Sequence, residues 1–280
     1  PYNILMSTPF LHRCLEVAVE AARLAGRVQA RFIGRPASVA TKRSPIDLVT
    51  DVDRTSERLI RGHLARHVPA HGIYGEEYGR LKPRAAYQWF IDPLDGTMNF
   101  VHGVPWFAVS IGLIHQGRPI LGVIYDPIRK ELFTAVHGQG ARLNGRRLHV
   151  SRIRRLKDGL LSTGFSSQFH KDPTRYLRWF EQLQRRSHGV RRVGSTAISL
   201  AYVACGRFDG FYEQDLWPWD VAAGMVLVRE AGGRVTDFAG RALPNARRGL
   251  LLASNGAIHP ELVRVLGHGS TSLTMTLSKR

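Results

Sequence analysis

The sequence predicts an α/β protein, with an α+β N-terminal half and an α/β C-terminal half. Three observations carry that reading. Segments of helical and strand periodicity alternate along all 280 residues, no internal repeat or low-complexity block interrupts them, and 44% of the residues are hydrophobic. That share is enough for one large or two modest domains with buried cores, and it excludes an intrinsically disordered chain. No run of roughly 20 apolar residues offers a membrane span, so no membrane contact is expected.

Between residues 10 and 32, apolar Leu11, Leu15, Val19, Ala22 and Val28 recur at helical spacing while Arg and Glu fill the opposite face. This is an amphipathic helix, ended by Gly34 and Pro36. A second helix is expected to open at Asp53, whose carboxylate is placed to cap the amides of Thr55 and Ser56, and to run through Leu59, Ile60 and Leu64 as far as Pro69. Its His63 and His67, with His71 beyond Pro69, stand four apart. Histidines at i and i+4 can chelate a transition metal, but no carboxylate occupies the position a zincin-type helix requires; solvated histidines on a basic helix are the plainer reading.

Strands follow over 87–91, 106–115, 120–125 and 131–136, with a Gln116-Gly117 turn joining the middle pair. Gly138-Gln139-Gly140-Ala141 resembles a nucleotide-binding loop, yet no helix opens after it, and Asn144-Gly145 reads as a hairpin turn. The basic stretch 151–158 divides the chain into halves over 1–150 and 151–267, with a polar tail over 268–280 expected to fray. The second half opens with a strand over 160–163, a helix over 173–184 and a helix after Gly194-Ser195-Thr196. A strand over 208–213 comes next, then a helix after Asp220 that turns Val221, Ala222, Met225 and Val228 inward and stops at Gly232-Gly233. Strands over 234–236 and 250–253 and a short helix near Pro260 complete it.

Lys and Arg number 40 against 22 Asp and Glu, a net charge of +18. Such a balance attracts polyanions, whether nucleic acid or a phosphorylated substrate, although the basic residues are scattered more than clustered and surface composition alone explains them equally well. Cys14 and Cys205 are far apart and form no CxxC pair, which suits a reducing cytoplasm. The first residues show no basic segment followed by an apolar one, so no secretory leader is expected and the location is cytoplasmic.

The most informative stretch is Ile91-Asp92-Pro93-Leu94-Asp95-Gly96-Thr97-Met98-Asn99-Phe100, where a strand ends in two aspartates and a Gly-Thr pair. Hard divalent cations take several oxygen ligands, and Mg²⁺ is held by a few carboxylates together with phosphate oxygens and water. Asp92 and Asp95 can supply carboxylates, and the Leu94 carbonyl a neutral ligand. A helix opening at Gly96 would offer the free amides of Gly96 and Thr97 to a phosphate. An Asx turn with a capped helix explains Asp95 and Gly96 but not Asp92. Two further acidic signals accompany it: Gly75-Glu76-Glu77, and an aspartate at the start of a small-residue helix in Trp219-Asp220-Val221-Ala222-Ala223-Gly224. No serine or cysteine stands out as a prepared nucleophile.

With these motifs the chain resembles the inositol monophosphatase family, Mg²⁺-dependent and lithium-sensitive phosphatases. The likeness runs from the first helix to about His259-Pro260 and rests on Asp47-Leu48-Val49-Thr50 with Asp53, on Gly75-Glu76-Glu77, on 92–100 and on 219–224, in the family's order. The resemblance implies a layered sugar-phosphatase fold with the site between the two halves, and two or three Mg²⁺ per site. Glu76, Asp92 and the Leu94 carbonyl would hold the first metal, and Asp92, Asp95 and Asp220 the second. Gly96 and Thr97 would bind phosphate. Thr97 and Asp47 would form a hydrogen-bonded pair that, with Glu76, orients and deprotonates the attacking water. Gly194, Ser195, Thr196 and Glu213 would select the substrate, a small phosphorylated polyol: inositol 1-phosphate first, with histidinol phosphate, fructose 1,6-bisphosphate and 3′-phosphoadenosine 5′-phosphate as alternatives. It also implies a homodimer and, from bacterial members tied to ribosomal RNA transcription, contact with RNA or the transcription machinery.

Overall fold

The computed structural model describes residues 8–42, 47–170, 172–246 and 248–267. The tail expected to fray lies outside them. The described chain runs β1 (Val39–Thr41) and β2 (Leu48–Thr50) after helix α1 (Thr8–Phe32), then α2 (Asp51–His67), β3 (Gly72–Gly75), β4 (Gly79–Leu81), β5 (Tyr87–Asp95) and the short α3 (Thr97–Val101). A meander follows: β6 (Ala108–His115), β7 (Arg118–Asp126), β8 (Glu131–Val136), β9 (Gly140–Leu143) and β10 (Arg146–Arg147). Next come β11 (Leu160–Thr163), α4 (Pro173–Gln184), β12 (Gly189–Arg191), α5 (Thr196–Ala204) and β13 (Gly210–Leu216). The chain closes with α6 (Pro218–Glu230), β14 (Arg234–Thr236), β15 (Gly249–Ser254) and α7 (His259–Gly267).

Strands β3 to β10 build an eight-stranded sheet in the order β10-β9-β8-β7-β6-β5-β3-β4, antiparallel except where β3 joins β5. A five-stranded mixed sheet, β12-β11-β13-β15-β14, is formed by the second half. Each sheet has two apolar faces, and three helix pairs cover them. The α1/α2 pair packs its buried side chains, among them Ala18, Ala22, Ile60 and Leu64, against Trp89, Ile111 and Val123 of the large sheet. Helices α5 and α6 are buried almost throughout and fill the space between the two sheets. On the outer face of the small sheet, Trp179 and Leu183 of α4 meet Leu262 and Leu266 of α7. A stack of five layers results, held mainly by apolar burial.

The small residues after Asp220 have a packing cause. Gly112 and Gly122 are cross-strand partners on β6 and β7. A Cβ on Gly112 would lie 2.6 Å from the Ala222 Cβ, and one on Gly122 only 2.4 Å from the Ala223 carbonyl oxygen. On its other side α6 meets α5, where Gly224 leaves room for Leu200. Backbone therefore meets backbone along this seam, and the start of α6 is set down beside the end of β5.

Most of the expected elements are present, and the differences occur at their ends. Helix α2 opens at Asp51 instead of Asp53, because Thr50 is the cap: its Oγ1 accepts from the Val52 and Asp53 amides at 3.1 and 3.3 Å. Asp53 reaches back to the Thr50 amide at 2.8 Å, the reciprocal half of a capping box, so it is the third helical residue. Strand β5 continues past Ile91 to Asp95, with an irregularity in register between Asp92 and Asp95 that accommodates Pro93. The strand expected over 208–213 is β13, shifted to Gly210–Leu216. Both expected two-residue turns form, with Gln116, Gly117, Asn144 and Gly145 all at positive φ.

His259, at the start of α7, ties that helix to the small sheet. Its two ring nitrogens lie 2.7 Å from Ser254 Oγ and 2.8 Å from Thr236 Oγ1, and burial, with Arg234 nearby, lowers its pKa to about 4. Between pH 6.5 and 4 the unfolded chain therefore binds a proton that the folded protein refuses. The stability this histidine contributes is intact above pH 6.5 and is lost as pH falls, by about 2 kcal/mol between pH 7 and pH 5. Urea unfolding at both pH values checks this. The buried carboxylates described below respond to pH in the opposite sense, so the informative quantity is the difference between wild type and His259→Gln: the wild type loses more stability on acidification, and an equal loss would contradict the assignment.

Candidate active site

At the junction of the two sheets a cleft of about 700 Å³ is lined by Glu76, Asp92, Asp95 and Asp220, with Thr97 beside them. These residues arrive from both halves of the chain. Asp92 and Asp95 flank the irregularity in β5; within it, the Leu94 amide donates to Asp92 Oδ1 at 3.0 Å, and Gln29 of α1 donates to the Pro93 carbonyl at 2.6 Å. Gly96 follows at φ 100°, a conformation that disfavours any side chain, and a Cβ there would lie 2.8 Å from the Trp106 carbonyl oxygen.

Helix N-termini hold the aspartates. Asp95 Oδ2 accepts from the Ala197 amide at 2.6 Å and from the Ser195 hydroxyl, at the start of α5. Asp220 Oδ2 accepts from the Trp217 amide at 2.7 Å, closing the first turn of α6 back on itself. Asp53 is held in the same way by Thr50. Free amides at a helix start compensate a nearby negative charge, which fixes where each carboxylate sits.

That compensation is incomplete. Burial raises the Asp92 carboxyl well above the ordinary range, and the charges of Glu76, Asp95 and Asp220 add to it. Asp220 is raised in the same sense by burial and then by Glu76 and Asp95. Asp95 rises only to about 6, because the α5 hydrogen bonds favour its ionised form. The cation that engages the cluster is Lys42, whose Nζ lies 2.8 Å from Glu76 Oε1 and also contacts Glu77. Donors that are all oxygen, buried together and short of positive charge, fit hard divalent cations. Among the described residues, however, no three of these carboxylates bring ligand atoms within 4.8 Å of one another. The set Asp92, Asp95 and Asp220 is thus more open than a closed cage, and the three side chains would have to close in to share one ion.

Thr97 has a different partner from the one expected. Its hydroxyl lies 2.9 Å from Asp53 Oδ1 and 3.1 Å from the Leu94 carbonyl oxygen. Asp47 lines the cleft, but its side chain makes no hydrogen bond to Thr97; the Thr-Asp pair is Thr97 with Asp53. The reason is the capping box, which turns Asp53 inward at the start of α2 with no exposed surface. Burial raises its pKa to about 6 against the hydrogen bonds from Thr50. The Leu94 carbonyl, expected to face a metal, lies 3.1 Å from the Thr97 hydroxyl, which has a single proton to share between it and the nearer Asp53, so its lone pairs are not committed to Thr97. Helix α3 is a five-residue turn, so its dipole is small, and Gly96 contributes chiefly an unobstructed backbone.

The four positions expected to select substrate are placed unequally. Gly194, Ser195, Thr196 and Glu213 all line the cleft. Ser195 uses its hydroxyl on Asp95 and on the Ile198 amide, and Thr196 donates to Glu213 Oε2 at 3.0 Å. Gly194 is at φ 75°, in a turn that packs on Asn99. Glu213 stands at the end of the regular pairing of β13, where burial lifts its pKa to about 8.

Several residues that build the site carried no signal of it in the sequence. Lys42 is one basic residue among many. Glu57, fully buried on α2, accepts from the Glu77 and Tyr78 amides at 2.7 and 3.1 Å and so fixes the turn that presents Glu76. A Cβ on Gly75 would lie 2.0 Å from that carboxylate. Asn99 donates to the Trp106 and Val193 carbonyls at 2.7 and 2.8 Å, tying α3 to the loop that enters α5. A buried glutamate in line with Asp53 on one helical face, at i and i+4, is the pattern that could have revealed Glu57.

Layered sheets that meet on a corner of oxygen donors, with a hydroxyl-carboxylate pair alongside, define a phosphatase that works with metal ions. The chain belongs to the inositol monophosphatase family, whose model matches residues 11–269. It is 47% identical over 232 residues to the Nus factor SuhB of Escherichia coli strain K12, covering 82% of this chain and 87% of that one. Over 254 residues it is 41% identical to an inositol-1-monophosphatase of Rhizobium meliloti, covering 90% and 95%. Among solved structures, the inositol monophosphatase of Anabaena (Nostoc) sp. PCC 7120 superposes with a TM-score of 0.84 at 42% identity, over 92% of this chain and 97% of that chain.

The pairing of Thr97 with Asp53 has a kinetic consequence. Asp53→Asn lowers the turnover of a phosphate monoester by about 10²-fold or more, the usual scale of an acid-base group, whereas Asp47→Asn changes it less than about tenfold. Steady-state kinetics on the two variants checks this, with circular dichroism to confirm folding. The reverse order would return the role to Asp47.

Proposed function

We propose that this phosphatase hydrolyses the phosphate monoester of a cyclitol or sugar, inositol 1-phosphate first, with Mg²⁺. The observation that carries the reading is the meeting of Glu76, Asp92, Asp95 and Asp220 around one cleft beside the Thr97-Asp53 pair. Glu76, Asp92 and the Leu94 carbonyl are the proposed donors for one Mg²⁺, and Asp92, Asp95 and Asp220 for another. When bound, the cations supply positive charge to the phosphoryl oxygens and acidify water. The Thr97 hydroxyl donates a hydrogen bond to Asp53 and so presents an oxygen lone pair that accepts a hydrogen bond from the attacking water, while Glu76 takes the proton that this water gives up as it attacks. The Gly96 and Thr97 backbone is the proposed phosphate contact. Glu213, raised to about 8 by burial, is largely protonated at neutral pH, so its carboxyl both donates to and accepts from a substrate hydroxyl. In this reading Ser195 and Thr196 act as positioning residues for Asp95 and Glu213, and Gly194 shapes the turn between them.

A kcat/KM panel tests substrate and site together: inositol 1-phosphate, histidinol phosphate, fructose 1,6-bisphosphate and 3′-phosphoadenosine 5′-phosphate, each with wild type, Asp92→Asn and Glu213→Gln. Inositol 1-phosphate leads, Asp92→Asn removes nearly all activity, and Glu213→Gln changes chiefly the ranking. A rival preferred tenfold, about 1.4 kcal/mol of transition-state binding, overturns the substrate, and an active Asp92→Asn overturns the site. Two free cysteines are in keeping with a cytoplasmic location, and lithium sensitivity and a homodimer belong to the same family reading. No helix among the described residues is long and apolar enough to cross a membrane.

A second reading coexists with the first: contact with RNA or the transcription machinery, favoured by the 47% identity to a protein named as a Nus factor and by the net charge of +18. Charge alone gives nonspecific, salt-sensitive binding to any polyanion. The discriminating measurement is binding of ribosomal leader RNA against scrambled RNA at near-physiological salt, with and without transcription elongation factors, for wild type and Asp92→Asn. Selective or factor-dependent binding that survives the mutation is expected; equal binding of both RNAs with no retained factor would reduce the charge to surface composition.

A further inference from the structure

In sequence, His63, His67 and His71 read as solvated histidines rather than as a metal-binding triplet, and the structure separates the three. His71 is buried, where its Nδ1 accepts from Trp89 Nε1 at 3.1 Å and its ring stacks on Tyr87. His63 and His67 remain together one turn apart on α2, with ring centroids 4.3 Å apart. The carboxylate that the helix itself lacks comes from its neighbour: Glu20 of α1 places Oε2 3.2 Å from His63 Nε2. One ligand atom from each of Glu20, His63 and His67 lies within 4.8 Å of the other two, the one such grouping among the described residues.

We propose that Glu20, His63 and His67 form a second metal site, separate from the catalytic cleft, that takes a borderline transition-metal ion such as Zn²⁺ and cross-links α1 to α2. Two imidazoles and a carboxylate are a nitrogen-oxygen donor set preferred by Zn²⁺, Ni²⁺ or Cu²⁺ over Mg²⁺, the opposite chemistry to the all-oxygen corner. Ligands at about 2.1 Å on a tetrahedral centre lie roughly 3.4 Å apart, close to the Glu20–His63 separation, and the exposed Glu20 is free to supply the remaining adjustment. A second observation points the same way. His63 Nε2 has almost no exposed surface, meets no well-aligned hydrogen-bond partner, and points at Glu20 Oε2 3.2 Å away, so the two donor atoms converge on one point between α1 and α2. Burial, then His67 and Arg66, lowers the His63 pKa against the opposing effect of Glu20, which favours the neutral, metal-binding ring. Three protein ligands leave a fourth position for water. The site lies about 15 Å along α2 from Asp53, so the ion fastens the helix that carries Asp53 and Glu57 without entering the cleft.

Isothermal titration of untagged full-length protein with Zn²⁺, in excess Mg²⁺ to saturate the catalytic carboxylates, tests this. Wild type binds one Zn²⁺ per chain and melts at a higher temperature with it. His63→Gln and His67→Gln each weaken that binding at least tenfold and abolish the thermal shift, Glu20→Gln weakens it less, and Asp220→Asn retains it. The Mg²⁺-dependent turnover of the Glu20, His63 and His67 variants stays at the wild-type level, showing that they fold. Co²⁺ in place of Zn²⁺ gives the intense visible absorption of a low-coordinate site in wild type and not in His67→Gln. If no Zn²⁺ is held in excess Mg²⁺, or if it is held equally by the histidine variants and lost in Asp220→Asn, the proposal is wrong.

Discussion

Keeping several carboxylates together in one largely buried corner is the constraint on which the rest of this structure turns. Two unit charges about 5 Å apart repel by roughly 3 kcal/mol at an effective dielectric of 20, and desolvation adds to that for each group. The protein offsets part of this with backbone. Asp95 takes the amides at the start of α5, Asp220 the first turn of α6, and Asp53 the first turn of α2. What remains uncompensated shows in the raised pKa values of Asp92 and Asp220. The corner is therefore shaped to receive positive charge, and Lys42 provides a fraction of it.

The layers exist in a form that makes this meeting possible. Three helix starts and one strand end have to arrive at a single point from segments more than a hundred residues apart. The seam of Gly112, Gly122, Ala222 and Ala223 lets α6 press its backbone onto the large sheet, which sets Asp220 beside β5. Asn99 and Gly96 allow α3 to touch the loop before α5, and Glu57 holds the turn that carries Glu76. Each contact is small. Together they join the two sheets at the cleft, while an acidic interior sits inside a protein whose overall charge is +18.

What the sequence made legible was what is encoded locally. Hydrophobic period placed the strands and helices, and Gln-Gly and Asn-Gly placed the turns. The Asp92-to-Asn99 stretch announced a site because its acidic spacing has no simple folding purpose. The rest depends on partners remote in the chain: Lys42 on Glu76, Asn99 on Val193, Ser195 on Asp95. The resemblance implied Asp47 as the partner of Thr97, whereas the Thr97 hydroxyl lies beside Asp53, a few residues along the same short motif. Thr50 with Asp53 three residues on is a capping-box pattern, and reading it as one would have set the helix start and turned Asp53 toward Thr97. Likewise the resemblance implied substrate contacts at Ser195 and Thr196, and only the structure shows that their hydroxyls bond to the remote carboxylates Asp95 and Glu213.

The carboxylate corner is expected to collect divalent cations. An anomalous-difference map from crystals soaked in Mn²⁺ tests this most directly, because Mn²⁺ takes the same hard oxygen donors as Mg²⁺ and scatters anomalously. The account predicts at least two peaks in the cleft, one shared by Asp92 with Glu76 and one by Asp92 with Asp95 and Asp220. A map with no peak against Asp92, in protein that is active with Mn²⁺, would contradict it.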